Sequence, residues 1–284
     1  MDRLVSTEWL EKQLGAPDLR IVDCTVKFDV SDAGVKIDSG HADWEAAHIP
    51  GSQHVDLLRA LSDPSESVPM MCPPAEQFAA AMESVGVGDG CRVMLYDGQM
   101  NAWAARVWWM LRAFGFDEAA VLNGGWRAWS SEGRPVATGP EPPPPLARFT
   151  PLPRDGLFVA KEEVLDALDD EAVAIVNALD RPAFRGDRVD YGRAGHIPGS
   201  LNVPFMDLVD RRTYRYLPTE RLQEAFRDVL AAGPDRIVTY CGAGVAASSA
   251  AFALGLLGLD EVSVYDGSMF EWAANPSLPL VTGD

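Results

Sequence analysis

Cysteine and histidine, the residues that most often build metal sites, are scarce in this sequence, with four of each among 284 residues. No cysteine belongs to a C-x-x-C pair and the histidines are scattered, which argues against a zinc site. We therefore expect neither a metal ion nor a cofactor. By number alone two disulfides are possible. The cysteines are Cys24, Cys72, Cys91 and Cys241.

Long apolar runs and an excess of positive charge are also missing. The longest apolar run, residues 250–259, is too short and too rich in glycine to span a bilayer. Residues 1–6 lack the apolar core of a signal peptide. The formal net charge is -18, so a basic surface for DNA or RNA would oppose the field of the whole protein. We expect a soluble, cytoplasmic protein with reduced thiols that binds neither nucleic acid nor membranes.

The most informative stretch is residues 236–247, which read RIVTYCGAGVAA. Apolar and β-branched residues lead into Cys241, small residues follow, and the pattern predicts a buried strand, a tight turn and a helix over residues 245–257. The first N–H groups of a helix lack internal partners and favour negative charge, so a thiol at this turn is favoured as the thiolate. A cysteine ending an apolar strand is also commonly a small buried hydrophobe, and both interpretations stay open at this point.

The two halves of the chain carry the same landmarks in the same order. The pentapeptide HIPGS begins at residues 48 and 196, Pro218 follows Pro74 by 144 residues, and Ile237 follows Val93 by the same spacing. A constant spacing over such landmarks indicates two copies of one domain. The predicted boundaries are a first domain over residues 1–138, a stiff proline-rich linker over 139–154, and a second domain over 155–284.

Each copy alternates short apolar strands with helices, a pattern typical of a parallel sheet with helices on its faces. Strands are predicted over residues 92–96 and 119–122, and helical spacing predicts a helix over residues 4–14 and another capped by Asn101. Ligands of such sheets bind outside the carboxyl ends of the strands. Cys241 lies there, and the first copy has Asp97 at the same place. One active and one inert copy is the simplest interpretation, while divergent packing in which neither copy reacts is the alternative.

Several motifs together resemble the tandem rhodanese-domain sulfurtransferases, which include thiosulfate and 3-mercaptopyruvate sulfurtransferases. The resemblance covers nearly the whole chain and implies an α/β fold of two tandem rhodanese-like domains, each a parallel sheet flanked by helices. In that family the second domain is catalytic and the first is inert. The motifs that carry the resemblance are HIPG at 48–51, ARVWW at 105–109, LNGGW at 122–126, GHIPGS at 195–200 and the loop at Cys241.

The resemblance implies a two-step transfer through a persulfide on Cys241. In the first step the thiolate attacks the sulfane sulfur of a small donor, either thiosulfate or 3-mercaptopyruvate. In the second step the persulfide transfers its outer sulfur to cyanide or to a thiol, and a protein thiol is a further candidate acceptor. Convergent backbone N–H groups suit a persulfide anion. The loop expected to hold it consists of Gly242, Ala243, Gly244, Val245 and Ala246.

The loop resembles the mercaptopyruvate type, Cys-Gly-Ser-Gly-Val-Thr-Ala, more than the thiosulfate type, which carries cations at the second and third places. However, Ala243 and Ala246 replace the serine and the threonine, so two hydroxyls are missing. The arginine that the family uses for the anionic end of the donor is absent at Ala183.

Three residues are predicted substrate ligands. Arg185 stands two residues beyond the missing arginine, and alternation along an extended chain would place it on the same side. Arg193 matches a second arginine of the family, and Asp56 matches an aspartate of the mercaptopyruvate enzymes, whose histidine is replaced here by Met70. Each arginine is equally compatible with an ordinary surface charge.

His48 and His196, both followed by Ile-Pro-Gly, are predicted to tie backbone groups together rather than to transfer protons. A cysteine phosphatase on the same fold is one alternative function, but it needs an arginine where this chain has Ala247. A non-catalytic or weakly active sulfur carrier or binding module with a degenerate donor site is the other.

Overall fold

Two compact units make up the protein, and each contains one five-stranded parallel sheet. The computed structural model describes the backbone of residues 1–31 and 34–284, and the side chains of residues 1–28 and 36–284. Unit 1 comprises Met1–Ser65, Cys72–Arg154 and Arg211–Arg215, whereas unit 2 comprises Glu66–Met71, Asp155–Asp210 and Tyr216–Asp284. Each unit therefore includes one short segment from the other half of the sequence.

Unit 1 has the strand order β1-β7-β6-β2-β5, and all of its neighbouring strands run parallel. An antiparallel hairpin, β3 with β4, is added outside this sheet. The strands are β1 Leu4–Val5, β2 Leu19–Asp23, β3 Val26–Ser31, β4 Gly34–Ser39, β5 Ser52–His54, β6 Arg92–Tyr96 and β7 Ala119–Leu122. The helices are α1 Thr7–Gln13, α2 His41–Ala46, α3 Ala75–Ser84, α4 Ala102–Ala113 and α5 Gly125–Ser131.

Unit 2 repeats this order as β8-β12-β11-β9-β10, again with all neighbours parallel. The strands are β8 Phe158–Val159, β9 Val173–Asn177, β10 Leu201–Asn202, β11 Arg236–Tyr240 and β12 Val262–Tyr265. The α-helices are α6 Lys161–Ala167, α7 Arg181–Arg185, α8 Thr219–Ala225, α9 Arg227–Ala232, α10 Val245–Leu256 and α11 Ser268–Trp272, and a 3-10 turn covers Phe205–Asp207. The predicted α/β fold with two flanked parallel sheets is confirmed.

The repeated pentapeptide has the same structural role in both units. The hydroxyl groups of Tyr96 and Ser52 lie 2.9 Å apart in unit 1, and those of Tyr240 and Ser200 lie 2.8 Å apart in unit 2. Both tyrosines are fully buried at the ends of central strands. A buried hydroxyl needs a partner, so the turn is fixed to the sheet in the same way twice.

Two local predictions were wrong. Residues 4–14 do not form one helix, because Ser6 accepts a hydrogen bond from the Trp9 N–H and starts helix α1 at Thr7. The preceding residues pair with β7 as strand β1. Asn101 does occupy the N-cap position of α4, but its side chain makes no capping bond and instead donates to the Tyr214 carbonyl.

The proline-rich residues 139–154 belong to unit 1 and are hydrogen-bonded to its other residues along their length. Glu141 Oε1 accepts a hydrogen bond from the Gly51 N–H at 2.7 Å, and the Asp89 carboxylate accepts one from the Thr150 N–H at 3.0 Å. The first residue of unit 2 after this segment is Asp155. Among residues 1–31 and 34–284, no helix is long and apolar enough to cross a membrane.

Candidate functional site

Cys241 lies at the carboxyl end of β11, the central strand of the sheet of unit 2. Helix α10 begins four residues later at Val245, so the strand, tight turn and helix predicted here are confirmed. The turn passes through Gly244, whose φ of 74° lies in the left-handed region that favours glycine. The thiol is thus placed at the start of a helix at the edge where parallel sheets bind ligands.

The backbone of the Cys241 loop is held by the first turn of α11. The carbonyl of Cys241 accepts a hydrogen bond from the Met269 N–H, and that of Gly242 accepts one from the Phe270 N–H, both at 3.0 Å. Cys241 itself is buried, with 2% of its surface exposed. Its Sγ makes no hydrogen bond within the described part of the chain. The protein therefore fixes the loop and leaves the sulfur uncommitted.

Ser268 is a site residue that the sequence did not point out. Its fully buried hydroxyl accepts hydrogen bonds from the Cys241 N–H at 3.1 Å and the Gly244 N–H at 3.2 Å, and donates to the Tyr265 carbonyl at 2.8 Å. The Gly244 N–H, predicted to hold the sulfur, therefore has a partner already. The internal repeat could have pointed to this residue, because Ser268 corresponds to Gly125 of the first copy. Both have φ near 50°, 47° for Ser268 and 53° for Gly125.

The other N–H groups of the predicted cradle are available. Among the described residues, those of Gly242, Ala243, Val245 and Ala246 donate to no protein acceptor. Buried or half-buried N–H groups that stay unpaired at a helix start attract an anion. The loop that carries the thiol therefore offers four unpaired donors.

Unit 1 shows a negative group on the corresponding donors. The Asp97 carboxylate accepts hydrogen bonds from the N–H groups of Gln99 at 2.6 Å, Asn101 at 3.1 Å and Ala104 at 2.9 Å. At the 144-residue spacing, Gln99 and Asn101 correspond to Ala243 and Val245 of unit 2. Burial raises the pKa of Asp97 to about 6, and the three N–H donors oppose that increase. In unit 1 a side chain of the protein thus occupies these donors.

Tyr191 is a second residue that the sequence did not point out. A Cβ added at Gly242 would lie 2.7 Å from the Cζ atom of Tyr191 and closer still to its hydroxyl, so the ring covers the loop at this glycine. Tyr191 also contacts Phe270 edge to face, with the ring centroids 5.1 Å apart. Burial raises the pKa of Tyr191 above its ordinary value, and negative charge on Cys241 raises it further. The hydroxyl therefore stays protonated at neutral pH.

Both predicted arginines are bound by other groups of the chain. Arg193 donates to four backbone carbonyl groups, those of Trp272, Ala273, Asn275 and Leu278, at 2.6–3.0 Å. Its guanidinium group is therefore hydrogen-bonded to the end of α11 and the residues that follow it. The argument for Arg185 was wrong, since residues 181–185 are helical and a shift of two residues turns the side chain to the opposite face. Arg185 pairs with Asp284 at 2.5 Å instead.

Asp56 belongs to unit 1, where its carboxylate supports a turn. Its Oδ1 accepts hydrogen bonds from the N–H groups of Leu58 at 3.1 Å and Arg59 at 3.2 Å. This arrangement is that of a local Asx turn. A role for Asp56 toward substrate stays a prediction.

The two histidines tie backbone groups together, as predicted. His48 Nδ1 lies 2.7 Å from the Trp44 carbonyl oxygen, and His196 Nδ1 lies 2.8 Å from that of Phe184. The His196 ring also stacks on the Phe184 ring with centroids 3.6 Å apart. Both are buried.

The other cysteines lie in unit 1, and all four are free thiols. Burial raises the pKa of the Cys24 thiol well above its usual range, and the neighbouring Asp23 and Asp97 raise it further. Burial also raises the pKa of Cys91. No group of three or more His, Cys, Asp or Glu side chains in the described ranges is arranged to hold a metal ion.

A model of the rhodanese-like domain matches this chain twice, at residues 6–132 and 160–275. The chain belongs to the rhodanese-like family. Both matches fall on the two parallel sheets, and the second includes the Cys241 loop.

Among the relatives of this rhodanese-like chain is the probable 3-mercaptopyruvate sulfurtransferase of Pseudomonas aeruginosa, which is 33% identical over 99% of both chains. The thiosulfate sulfurtransferase of Mus musculus is 32% identical over 95% of this chain and 91% of its own length. The crystal structure of SseA from Escherichia coli, a 3-mercaptopyruvate sulfotransferase, has a TM-score of 0.84 and 30% identity, covering 94% of this chain and 99% of that one. The relatives thus include enzymes named for two different donors.

Proposed function

We propose that the protein is a sulfurtransferase in which unit 2 carries the sulfur on Cys241 and unit 1 takes no chemical part. The observation that carries this assignment is the contrast between the two loops. The N–H groups of Ala243 and Val245 in the Cys241 loop are unpaired in the described part of the chain, whereas the corresponding groups of Gln99 and Asn101 donate to the Asp97 carboxylate. The relatives that cover the chain are thiosulfate and 3-mercaptopyruvate sulfurtransferases.

The geometry of Asp97 supports a persulfide in the other loop. Each carboxylate oxygen stands as many bonds from Cα as the outer sulfur of a cysteine persulfide does. Because the Asp97 oxygens lie 2.6–3.1 Å from three loop N–H groups, an outer sulfur on Cys241 would reach the donors of Ala243 and Val245. Such preorganised donors stabilise charge without reorganisation.

In the first step the thiolate of Cys241 attacks the outer sulfur of the donor and forms a new S–S bond. With thiosulfate, the sulfur–sulfur bond of the donor breaks and sulfite leaves with the electron pair. With 3-mercaptopyruvate, the carbon–sulfur bond breaks, the electron pair goes to the carbon as the enolate of pyruvate, and a proton completes pyruvate. In the second step cyanide or an acceptor thiolate attacks the outer sulfur of the persulfide, and the Cys241 thiolate is regenerated.

The uncharged loop favours 3-mercaptopyruvate over thiosulfate. Thiosulfate is a dianion whose second charge needs a nearby cation, and the loop places Gly242 and Ala243 where cations would stand. Arg188, three residues before Tyr191, donates hydrogen bonds to both Asp180 and Asp190 at 2.7–2.9 Å. Its charge is therefore largely neutralised within the protein.

Steady-state assays with both donors test this proposal. The wild-type chain should release pyruvate from 3-mercaptopyruvate and form thiocyanate from cyanide, with a higher kcat/KM than for thiosulfate. Cys241→Ser should abolish turnover of both donors, and single serine variants of Cys24, Cys72 and Cys91 should keep it. Turnover that survives in Cys241→Ser would refute the assignment of the sulfur to Cys241.

A sulfur carrier with a degenerate donor site is the second candidate. It is favoured by the lack of a free cation for an anionic donor at positions 183 and 193. Ala183 carries no charge, and Arg193 donates to four backbone carbonyl groups. A carrier would take sulfur from another persulfide rather than from an anionic small molecule. It predicts that glutathione persulfide loads Cys241 while thiosulfate and 3-mercaptopyruvate do not.

We further propose a protein thiol as an acceptor and the cytoplasm as the compartment. The compartment is supported by the four free cysteines, which a reducing environment maintains.

The net charge of -18 argues against nucleic acids and anionic membranes as partners. Ala247, buried at the place where a phosphatase needs an arginine, argues against phosphate chemistry.

A further inference from the structure

The Cys241 loop has no hydroxyl side chain of its own. Residues 242–247 read GAGVAA, with Ala243 and Ala246 at the two places where a related loop carries serine and threonine. A persulfide bound there would rely on backbone donors alone unless another element supplies a side chain. Tyr191 is such a side chain, and it comes from the segment between α7 and β10.

The ring of Tyr191 is fixed over the loop. It occupies the space where a side chain at 242 would begin, since an added Cβ would meet its Cζ at 2.7 Å and its Cε1 at 2.8 Å. Phe270 contacts the ring from the side and donates its N–H to the Gly242 carbonyl. The tyrosine, the loop and the start of α11 thus form one packed group next to Cys241.

The hydroxyl of Tyr191 is available as a donor. Within the described residues it makes no hydrogen bond to a protein acceptor. Charge on Cys241 acts on this hydroxyl in the direction that keeps it protonated. A protonated, unpaired phenol that lies against Gly242, the residue next to Cys241, can donate a hydrogen bond to an acceptor that is added to the thiol.

We propose that the Tyr191 hydroxyl donates a hydrogen bond to the outer sulfur of the Cys241 persulfide as that sulfur is transferred, in place of the hydroxyl groups missing at Ala243 and Ala246. This role rests on the proposed function, because it requires that Cys241 carries the transferred sulfur. A hydrogen bond to a charged group is stronger than one between neutral groups. Its loss should slow the formation of the persulfide.

Rapid-quench mass spectrometry of the full-length chain tests the proposal. The fraction of protein that has gained one sulfur atom is followed with time after mixing with 3-mercaptopyruvate, and separately with thiosulfate. Tyr191→Phe keeps the ring over Gly242 and removes only the hydroxyl. We expect the same final loading at a rate about tenfold lower.

Two control variants separate the hydroxyl from packing. Tyr191→Ala removes the ring as well and should be at least as slow as Tyr191→Phe. Tyr216→Phe removes another hydroxyl of unit 2, which lies 2.9 Å from the Ser249 hydroxyl, and should load at the wild-type rate. A Tyr191→Phe chain that loads as fast as wild type, or a Tyr216→Phe chain slowed to the same extent, would overturn the role of Tyr191. A wild-type chain that gains no sulfur from either donor would overturn the proposed function, and the role of Tyr191 with it.

Discussion

The hydroxyl oxygen of Ser268 lies 3.1 Å from the backbone nitrogen of Cys241 and accepts its hydrogen bond. The same oxygen accepts the N–H of Gly244, so one side chain holds both ends of the tight turn that carries the thiol. Ser268 has a φ of 47°, a conformation that is costly for a residue with a Cβ. The hydroxyl contacts compensate for that cost, and they link the start of α11 to the position of Cys241.

Replacing Ser268 tests whether this link positions the thiol. Ser268→Gly relieves the positive φ, as Gly125 does in unit 1, but removes the hydroxyl. Ser268→Ala removes the hydroxyl and keeps the unfavourable Cβ. We expect both variants to form the Cys241 persulfide about 10- to 100-fold more slowly, because displacement of a reacting group has that effect. Rapid-quench mass spectrometry measures the rate.

The two Ser268 variants differ in the expected stability. The glycine variant should unfold at a higher urea concentration than the alanine variant, because only alanine keeps the strained Cβ. If Ser268→Gly loads sulfur at the wild-type rate, the hydroxyl does not position Cys241.

Gly242 and Gly98 occupy corresponding places after the two central strands, which makes them a matched pair. An added Cβ at Gly242 would lie 2.7 Å from the ring of Tyr191, whereas at Gly98 it would meet Thr25 Cγ2 at 3.6 Å, an ordinary contact. We expect Gly242→Ala to lower the free energy of unfolding by about 1–3 kcal/mol, the usual cost of overpacking, and to slow sulfur loading. Gly98→Ala should change neither quantity.

Urea unfolding and sulfur loading of both alanine variants check the prediction. Equal losses in the two variants would show that the ring of Tyr191 does not restrict position 242. A loss confined to Gly98→Ala would contradict the packing described for both loops.

Asp23 makes the stability of unit 1 depend on pH. Burial raises the pKa of Asp23 to about 6, above the unfolded value near 4. A raised carboxyl pKa means that the folded state binds more protons, so the contribution of Asp23 to stability is best at low pH and falls as pH rises from about 4 to 6. Asp23→Asn cannot ionise. It should match wild type near pH 4 and exceed it by about 1–3 kcal/mol at pH 8.

An amide fits this position, because unit 2 has one. Asn177 Oδ1 accepts a hydrogen bond from the Leu179 N–H at 2.8 Å, and Asp23 Oδ1 accepts one from the Thr25 N–H at 2.7 Å. Asn177 and Asp23 also both pair in register with the tyrosine that ends the neighbouring central strand. Urea unfolding followed by tryptophan fluorescence reports on unit 1, since Trp272 alone of the eight tryptophans lies in unit 2. Asp2→Asn, at an exposed carboxylate of unit 1, is the control and should show no such pH dependence. A constant difference between Asp23→Asn and wild type from pH 4 to 8 would refute the prediction.

Periodicity and the internal repeat predicted continuous elements of both units, including the helix that follows Cys241. The strands over residues 92–96 and 119–122 have the predicted bounds, and the helix after Cys241 ends one residue short of its predicted end. These segments are continuous in sequence, and their apolar runs and glycines act locally. The comparison of Asp97 with Cys241 also needed only the repeat spacing.

Contacts between distant segments were not predictable in the same way. Ser268 and Tyr191 reach the loop from 27 and 50 residues away in sequence, and neither has a local pattern that indicates a partner. The contacts of the two arginines could not be predicted for a related reason. Residues 181–185 form a short helix capped by Asp180, and the four carbonyls around Arg193 come from a chain segment about 80 residues further on.

The most direct test of the account is the intact mass of the full-length chain after incubation with each donor, followed by peptide mapping and by cyanide treatment. The account predicts a gain of one sulfur atom on the peptide that contains Cys241, its removal by cyanide, and no gain in Cys241→Ser. The peptide that contains Asp97 should stay unmodified. A sulfur adduct on Cys24, Cys72 or Cys91 in place of Cys241, or no adduct from either donor, would contradict the central claim that the Cys241 loop is the site of sulfur transfer.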